Sequence, residues 1–332
     1  MTAVRALRWC WTRVMDHLLV VAIVVAIALA ALAALPSATQ AADGEHLLVA
    51  DLRGRALVVL DPTRPDATRR IPLPGGPHEL LRLVDGRIAV SLEQAGAVAV
   101  VDLDSGQVET LVTGGLPHGL ALQHDVTGDR LLVTDREHDA VRRFVMAGSA
   151  SMWREVSSTY ADGWPHAVVS RDDGAFAYVR ANDAVIAIDG REVGVSSLPE
   201  TLTLSPDGAR LATAGATGGS VHIVGWDGLD RVDAAVGGRP VRTVFSPDGS
   251  LVAVARSAAS SVAFVDLHGG VRVASVAGTP DGLAFSSDGR RLYAADMAGG
   301  RITVIEVSTG RALATFSMGG LSAGSLMVLP AR

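Results

Sequence analysis

Three histidines in this sequence follow a proline in the same local setting: Gly76-Pro77-His78-Glu79, Gly115-Leu116-Pro117-His118 and Gly163-Trp164-Pro165-His166. Neutral imidazole is a good ligand for zinc and related divalent ions, and three ring nitrogens with a carboxylate or water complete a tetrahedral site. Asp135 and Asp51 are the carboxylates placed to join them, so His78, His118, His166, Asp135 and Asp51 form a candidate metal set. The same mouth offers a second chemistry, that of a lactonase or lyase, for which His118, Arg180 and Glu200 supply a base, a cation and a carboxylate. A structural reading stays open beside both: a Pro-His pair in a repeated turn can cap a strand, its imidazole bonded to a neighbouring carbonyl.

The Pro-His turns belong to a longer repeat. Leu198-Pro199-Glu200, Arg239-Pro240-Val241-Arg242 and Thr279-Pro280-Asp281 continue the series, and the prolines step by 40, 48, 34, 41 and 40 residues. A period near 40 that contains strands marks a repeat array. After each anchor comes a short apolar run and then a hairpin signal, clearest in Ser205-Pro206-Asp207-Gly208, Ser246-Pro247-Asp248-Gly249 and Ser286-Ser287-Asp288-Gly289. Proline presets φ, aspartate tolerates the next position and glycine takes φ > 0, which reverses the chain. Third strands follow, such as Ala184-Val-Ile-Ala-Ile-Asp189 and Ser261-Val-Ala-Phe-Val-Asp266, then a more polar fourth, such as Gln107-Val-Glu-Thr-Leu-Val112.

Four strands per period predict an all-β propeller of four-stranded blades. The first period lacks its opening strand, and residues 319–329 form an opening strand that lacks the other three. Pairing the N-terminal strands with the C-terminal strand completes a seventh blade and closes the ring, leaving no free sheet edge. The loops that enter strand one and those that join strands two and three then share one face around the channel. That face collects His78, His118, His166, Glu200, Arg242 and Asp281, with Asp51, Glu93, Asp135, Arg180, Arg256 and Asp296 from the second set of loops.

On its Ser-Pro-Asp-Gly hairpins and Val-x-Val-Ile-Asp-type third strands, the chain from 46 to 329 resembles the YVTN-type, or YncE-like, seven-bladed propellers of exported bacterial proteins. The tetrapeptide itself is echoed only by Leu132-Val-Thr-Asp135 and Tyr293-Ala-Ala-Asp296. The resemblance implies the fold and is nearly silent on activity, because propellers host hydrolases, lyases and pure binding modules alike. Exported zinc-chaperone propellers are similar in concept, although this chain lacks a histidine-rich segment.

Residues 1–42 read as a signal peptide or N-terminal membrane anchor, and 43–332 as the propeller. Arg5, Arg8 and Arg13 precede an uncharged apolar run over 18–35, and small residues around Ala42 suit cleavage. The expected location is therefore extracytoplasmic, with membrane contact only through 18–35 if that run is retained. Cys10 is the single cysteine, so the exported body has neither a disulfide nor a thiolate ligand. The sequence contains no lysine and carries a net charge of −6, which argues against a nucleic-acid partner.

The long step between Pro117 and Pro165 predicts an inserted loop around Met146–Trp153 and Tyr160–Trp164, in which Trp164 could wall the mouth. His138 is a spare ligand on the mouth side, and His124 sits on the opposite face. His46, His222 and His268 read as ordinary edge or surface residues. The sequence contains no phosphate loop or His-Glu-x-x-His motif, and its one Gly-x-Ser-x-Gly string, Gly320–Gly324, opens the tail strand and is not a strand-to-helix elbow, which argues against a nucleophile mechanism. The leading expectation is a binding protein, leaning away from catalysis, whose channel mouth takes a small ligand or a divalent metal such as zinc. The alternatives are the lactonase- or lyase-like enzyme and a protein-interaction scaffold with an inert channel.

Overall fold

A computed structural model describes residues 44–125, 128–146, 149–318 and 322–330. The expected leader or anchor, residues 1–42 with the apolar run 18–35, lies outside them. Among the described residues no helix is long and apolar enough to cross a membrane.

The described chain forms seven four-stranded antiparallel sheets. Blade 1 is composite: it takes His46–Asp51, Ala56–Asp61 and Arg64–Pro72 from the start of the propeller and Ala323–Leu329 from its end. Blades 2 to 7 follow in chain order, and their first strands begin at Leu80, Pro117, Pro165, Thr203, Pro240 and Pro280. The expected closure is present. His46 pairs with Leu329 and Leu48 with Met327, and Ser322 donates its N–H to Asp51 at 3.0 Å.

Sequence pattern explains the layering. The second and third strands lie between neighbouring blades, so both faces are buried and the residues are almost all apolar: Ile88–Leu92, with Ser91 as its one polar member, and Ala97–Val101 are buried throughout. Fourth strands form the rim, and there the pattern turns polar and exposed, as in Arg154–Tyr160. The core is a series of inter-blade clusters, of which Leu48, Leu57 and Ile71 of blade 1 with Ile88, Val90 and Val101 of blade 2 are typical. Each fully buried leucine, isoleucine or valine contributes about 1.5–3 kcal/mol.

The hairpins form as their sequences predict. Ser205 donates its hydroxyl to Asp207 at 2.5 Å, Asp207 accepts the Ala209 N–H at 3.0 Å, and Gly208 takes φ 69°. The Ser246 and Ser286 hairpins repeat the bond at 2.5 and 2.6 Å.

Blade 3 absorbs most of the expected insertion. Arg154–Tyr160 is its fourth strand, preceded by a short 3₁₀ turn over Ala150–Met152. Trp153 is 5% exposed and packs with Leu83, Val98, Leu111 and Leu120. Trp164 alone of this stretch's aromatics reaches the histidines.

Candidate functional site at the channel mouth

In blades 3, 4, 6 and 7 the pairing between first and second strands slips immediately after the anchor proline, between Pro117 and Leu120, Pro165 and Val168, Pro240 and Arg242, and Pro280 and Leu283. A bulge of this kind frees residues from the ladder and re-aims their side chains. The first or second residue after the anchor is thereby released to meet the other blades across the axis.

In blades 3 and 4 this release, and in blade 2 the entry segment before its first strand (Leu80–Arg82), bring the three histidines into contact. The His78 and His118 ring centroids are 4.2 Å apart, and those of His118 and His166 are 3.9 Å apart, tilted by 52° and 54°. Trp164 meets His166 edge-on at 5.8 Å. His118 is 1% exposed and His166 is 8% exposed, while His78 opens the group to solvent.

Hydrogen bonding fixes two of the tautomers. His118 Nδ1 lies 3.0 Å from the His166 carbonyl, which can only accept, so Nδ1 carries the proton and Nε2 holds a lone pair. That Nε2 is buried without a hydrogen-bond partner. His166 is the reverse case: the Arg136 guanidinium can only donate, so it gives a hydrogen bond to His166 Nε2 at 3.2 Å, leaving the proton on an unpartnered Nδ1. Burial, reinforced by the adjoining imidazoles, holds His118 well below the usual histidine range. Burial and the Arg136 charge push His166 down to about 3. Both rings are therefore neutral at neutral pH.

The carbonyl that orients His118 is itself positioned. Thr134 donates its hydroxyl to it at 2.9 Å and accepts the Gly119 N–H at 2.7 Å. A Cβ on Gly119 would stand 2.7 Å from the same oxygen, so only glycine lets blade 4 approach this closely.

Opposite the histidines, an ion pair spans the ring. Arg242 of blade 6 donates to Glu79 of blade 2 through Nη2–Oε1 at 2.8 Å and Nη1–Oε2 at 3.0 Å, and through Nε to Asp281 of blade 7 at 3.2 Å. Burial raises the Glu79 carboxyl, but the Arg242 charge outweighs it and holds the group well below the usual carboxylate range. His78 Nδ1 is 3.5 Å from Glu79 Oε1. Burial also raises the Glu200 carboxyl; Arg239, 3.3 Å away, opposes the shift, and the Asp281 charge adds to it.

Among the described residues, His78, Glu79 and His118 form a group whose metal-competent atoms all lie within 4.8 Å of one another. Two of these were in the candidate set. Glu79 was not, although it stands beside His78 in the sequence.

The expected carboxylates serve the scaffold instead. Asp135 is 1% exposed and accepts the N–H groups of Leu116, Glu137 and His138, the His138 ring at 2.8 Å and Arg142 at 3.1 Å. Asp51 accepts from Gly54, Ser322 and Arg70, and Asp296 from Thr279, Ala298 and Arg301. The same aspartate in three blades ties the entry loop of strand one to the loop after strand two. His138, the expected spare ligand, is engaged there.

Of the alternative catalytic group, His118 sits in the histidine chain and Glu200 pairs with Arg239, whereas Arg180 pairs with Asp183 at 3.1 Å and Glu192 at 2.9 Å. His124 bonds Asp129 at 2.6 Å, and His46 and His268 are exposed. His222 is not a surface residue: it is 4% exposed and bonded on both ring nitrogens.

Neither a family model nor a curated protein matches the sequence. Several solved structures share the fold. The periplasmic gluconolactonase PpgL of Pseudomonas aeruginosa superposes with a TM-score of 0.70 at 20% identity, covering 87% of this chain and 99% of that one. A Lactobacillus plantarum protein gives 0.69 at 13% identity, with 86% and 99% covered. A catalytically inactive histidine-to-alanine variant of virginiamycin B lyase from Staphylococcus aureus, solved with quinupristin, gives 0.60 at 14% identity, with 73% and 84% covered. At these identities the likeness is one of fold.

Proposed function

We propose that this chain is an extracytoplasmic binding propeller whose channel mouth takes a divalent cation such as zinc, held by His78, Glu79 and His118. One observation carries the reading: His118 is kept neutral, its proton is committed to the His166 carbonyl, and its buried Nε2 lone pair has no partner inside a group of competent ligand atoms. A backbone carbonyl that fixes the far nitrogen of a histidine is the usual support for a metal-facing ring. The spacing fits with modest closure, since ligand atoms about 2.0–2.1 Å from a tetrahedral zinc lie about 3.3 Å apart. Glu79 retains lone pairs beyond those used by Arg242, and Arg242 keeps Asp281 when Glu79 turns. His166 stands behind the site as the positioning residue. The location outside the cytoplasm rests on the sequence of residues 1–42 and the absence of cysteine from 43–332, and the kinship to YVTN-type propellers rests on the repeat motifs.

Metal-free protein incubated with zinc and dialysed should retain about one ion per chain. His118→Ala should weaken retention at least tenfold, taking the low end of the ~10–100-fold cost of losing even an outer-shell partner, and His138→Ala should leave it unchanged. Failure to retain stoichiometric zinc, or equal retention by His118→Ala, overturns the assignment.

A second reading is supported by the gluconolactonase and lyase among the fold neighbours, one of them inactivated by loss of a histidine. The His118 Nε2 lone pair is also that of a general base, and Arg242 and Arg136 are cations close to the group. In this reading the chain opens a lactone or a cyclic ester. Turnover of a lactone panel that disappears in His118→Ala supports it over pure binding; no turnover by the parent protein removes it.

A further inference from the structure

On the rim between blades 4 and 5, away from the channel group, three side chains form a hydrogen-bonded row. His222 lies on the third strand of blade 5 (Ser220–Gly225) directly opposite Asp233 on the fourth (Arg231–Ala235). This register brings His222 Nδ1 to 2.6 Å from Asp233 Oδ1. Blade 4 ends its fourth strand at Gly194, and the loop that follows carries Ser196 to the other side of the ring, with Oγ 2.8 Å from His222 Nε2.

The direction of these bonds can be worked out. The Ser196 backbone N–H, which can only donate, also points at Nε2 from 2.9 Å, so Nε2 is an acceptor. Nδ1 lies 2.6 Å from Asp233 Oδ1 and 3.2 Å from Arg231 Nη2; the shorter contact, to an oxygen that can only accept, places the proton on Nδ1. Arg231 donates through Nε to both Asp233 oxygens at 2.8 Å and through Nη1 to the Gly194 carbonyl at 2.7 Å, which fixes the carboxylate and the incoming loop together. A serine hydroxyl facing an imidazole lone pair whose far nitrogen is held by a carboxylate is the nucleophile–base–orienter arrangement of acyl transfer. His222 is almost wholly buried, Ser196 is half-buried, and Asp233 is half-exposed.

We propose that Ser196, His222 and Asp233 form a nucleophilic site that cleaves small esters with good leaving groups. Ser196 Oγ bonds to the acyl carbon as its proton passes to His222 Nε2; the carbon–oxygen bond to the alcohol breaks, and the alcohol leaves with that proton. Water then gives one proton to His222 Nε2 and its oxygen to the acyl carbon; the bond from that carbon to Ser196 Oγ breaks, Oγ takes the proton back from His222, and the carboxylic acid leaves. Two features set the substrate class. The Nε2 lone pair is shared with the Ser196 N–H, which weakens the base and confines reaction to activated esters such as aryl acetates rather than amides. Gly218 borders the serine so closely that a Cβ there would lie 2.8 Å from Oγ, and a Cβ on Gly215 would lie 2.3 Å from Ser196 Cβ. Main chain therefore flanks the nucleophile closely and limits the site to a short acyl group.

The full chain is treated with an alkyl fluorophosphonate, and the adduct is located by peptide mass mapping, with hydrolysis of p-nitrophenyl acetate measured in parallel. Labelling at Ser196 that approaches one adduct per chain is expected, absent in Ser196→Ala and slowed at least tenfold in His222→Gln and Asp233→Asn. Asp233 is exposed enough that its asparagine variant should stay folded, so the test does not depend on the buried histidine. If the row serves only to pin the blade 4 loop, the variants lower the unfolding midpoint while Ser196 takes no adduct in the parent protein. That outcome overturns the proposal, as does equal labelling in Asp233→Asn. Neither result bears on zinc retention at the channel.

Discussion

The Glu79–Arg242 pair should act as a strut across the ring, and its removal should be costly. The two side chains are 19% and 13% exposed and share two short hydrogen bonds, although 163 residues separate them. Removing one partner of a buried pair costs about 3–5 kcal/mol, because the other charge is left uncompensated. Glu79→Gln leaves Arg242 with Asp281 at 3.2 Å, so the expected loss is about 3 kcal/mol, at the low end of that range. Arg242→Met strands Glu79 and Asp281 together and should cost about 3–5 kcal/mol. In the double variant the losses should fall short of additivity by about 1.5 kcal/mol or more. Urea unfolding followed by tryptophan fluorescence measures all four proteins, with an unchanged slope as the check that the unfolded reference is common. The pH dependence has a definite sign. The folded Glu79 pKa lies well below 4.5, so its contribution is fully present above the unfolded value and is lost as pH falls from 4.5 through the depressed folded value. Single variants within about 0.5 kcal/mol of the parent, or losses that add to within that margin, would refute the strut.

Three further outcomes follow from the same geometry. His166 titrates at about 3 in the fold against 6.5 ordinarily, so between those values the unfolded chain binds a proton that the folded one refuses. Stability should fall as pH drops below 6.5, by about 2 kcal/mol at pH 5 from this ring, and His166→Gln should flatten that dependence in urea midpoints. Gly119→Ala drives a methyl against the His166 carbonyl and should destabilise the protein by about 1–3 kcal/mol, with zinc retention weakened because His118 loses its orienting acceptor. Asp135→Ala removes the buried acceptor of the Leu116, Glu137 and His138 N–H groups, while Arg142 keeps Thr113 and Glu155, and should cost about 1–3 kcal/mol, while zinc retained per folded molecule stays the same. If Asp135 were a ligand, that retention would drop.

Much of the architecture was legible because its signals are local. Ser205-Pro206-Asp207-Gly208 folds its turn through bonds that span five residues or fewer, and repetition at a fixed period then sets the strand count. That His78, His118 and His166 face one channel mouth was legible for the same reason, one anchor repeated in consecutive blades; that their rings touch depends on the closed ring and was not. Glu79 and Arg242 were harder to pair, because each is the second residue after its anchor proline, and which residue it meets depends on the ring, not on its neighbours. Asp51 and Asp135 misled because an aspartate ending a second strand looks like a channel carboxylate until the entry-loop amides that surround it are seen. His222 carried no local mark at all; Ser196 is 26 residues away, and only blade-to-blade contact brings them together.

The closing strand also sets a timetable. Asp51 waits for Ser322, 271 residues later, and at about 5–20 residues per second of synthesis that gap lasts roughly 14–54 s. Throughout that interval the apolar strand His46–Asp51 has an unsatisfied edge, the kind of template that recruits other chains. Whatever holds the nascent polypeptide extended keeps this edge from pairing with other chains. A chain interrupted anywhere before residue 323 should betray itself by self-association, not by loss of local structure.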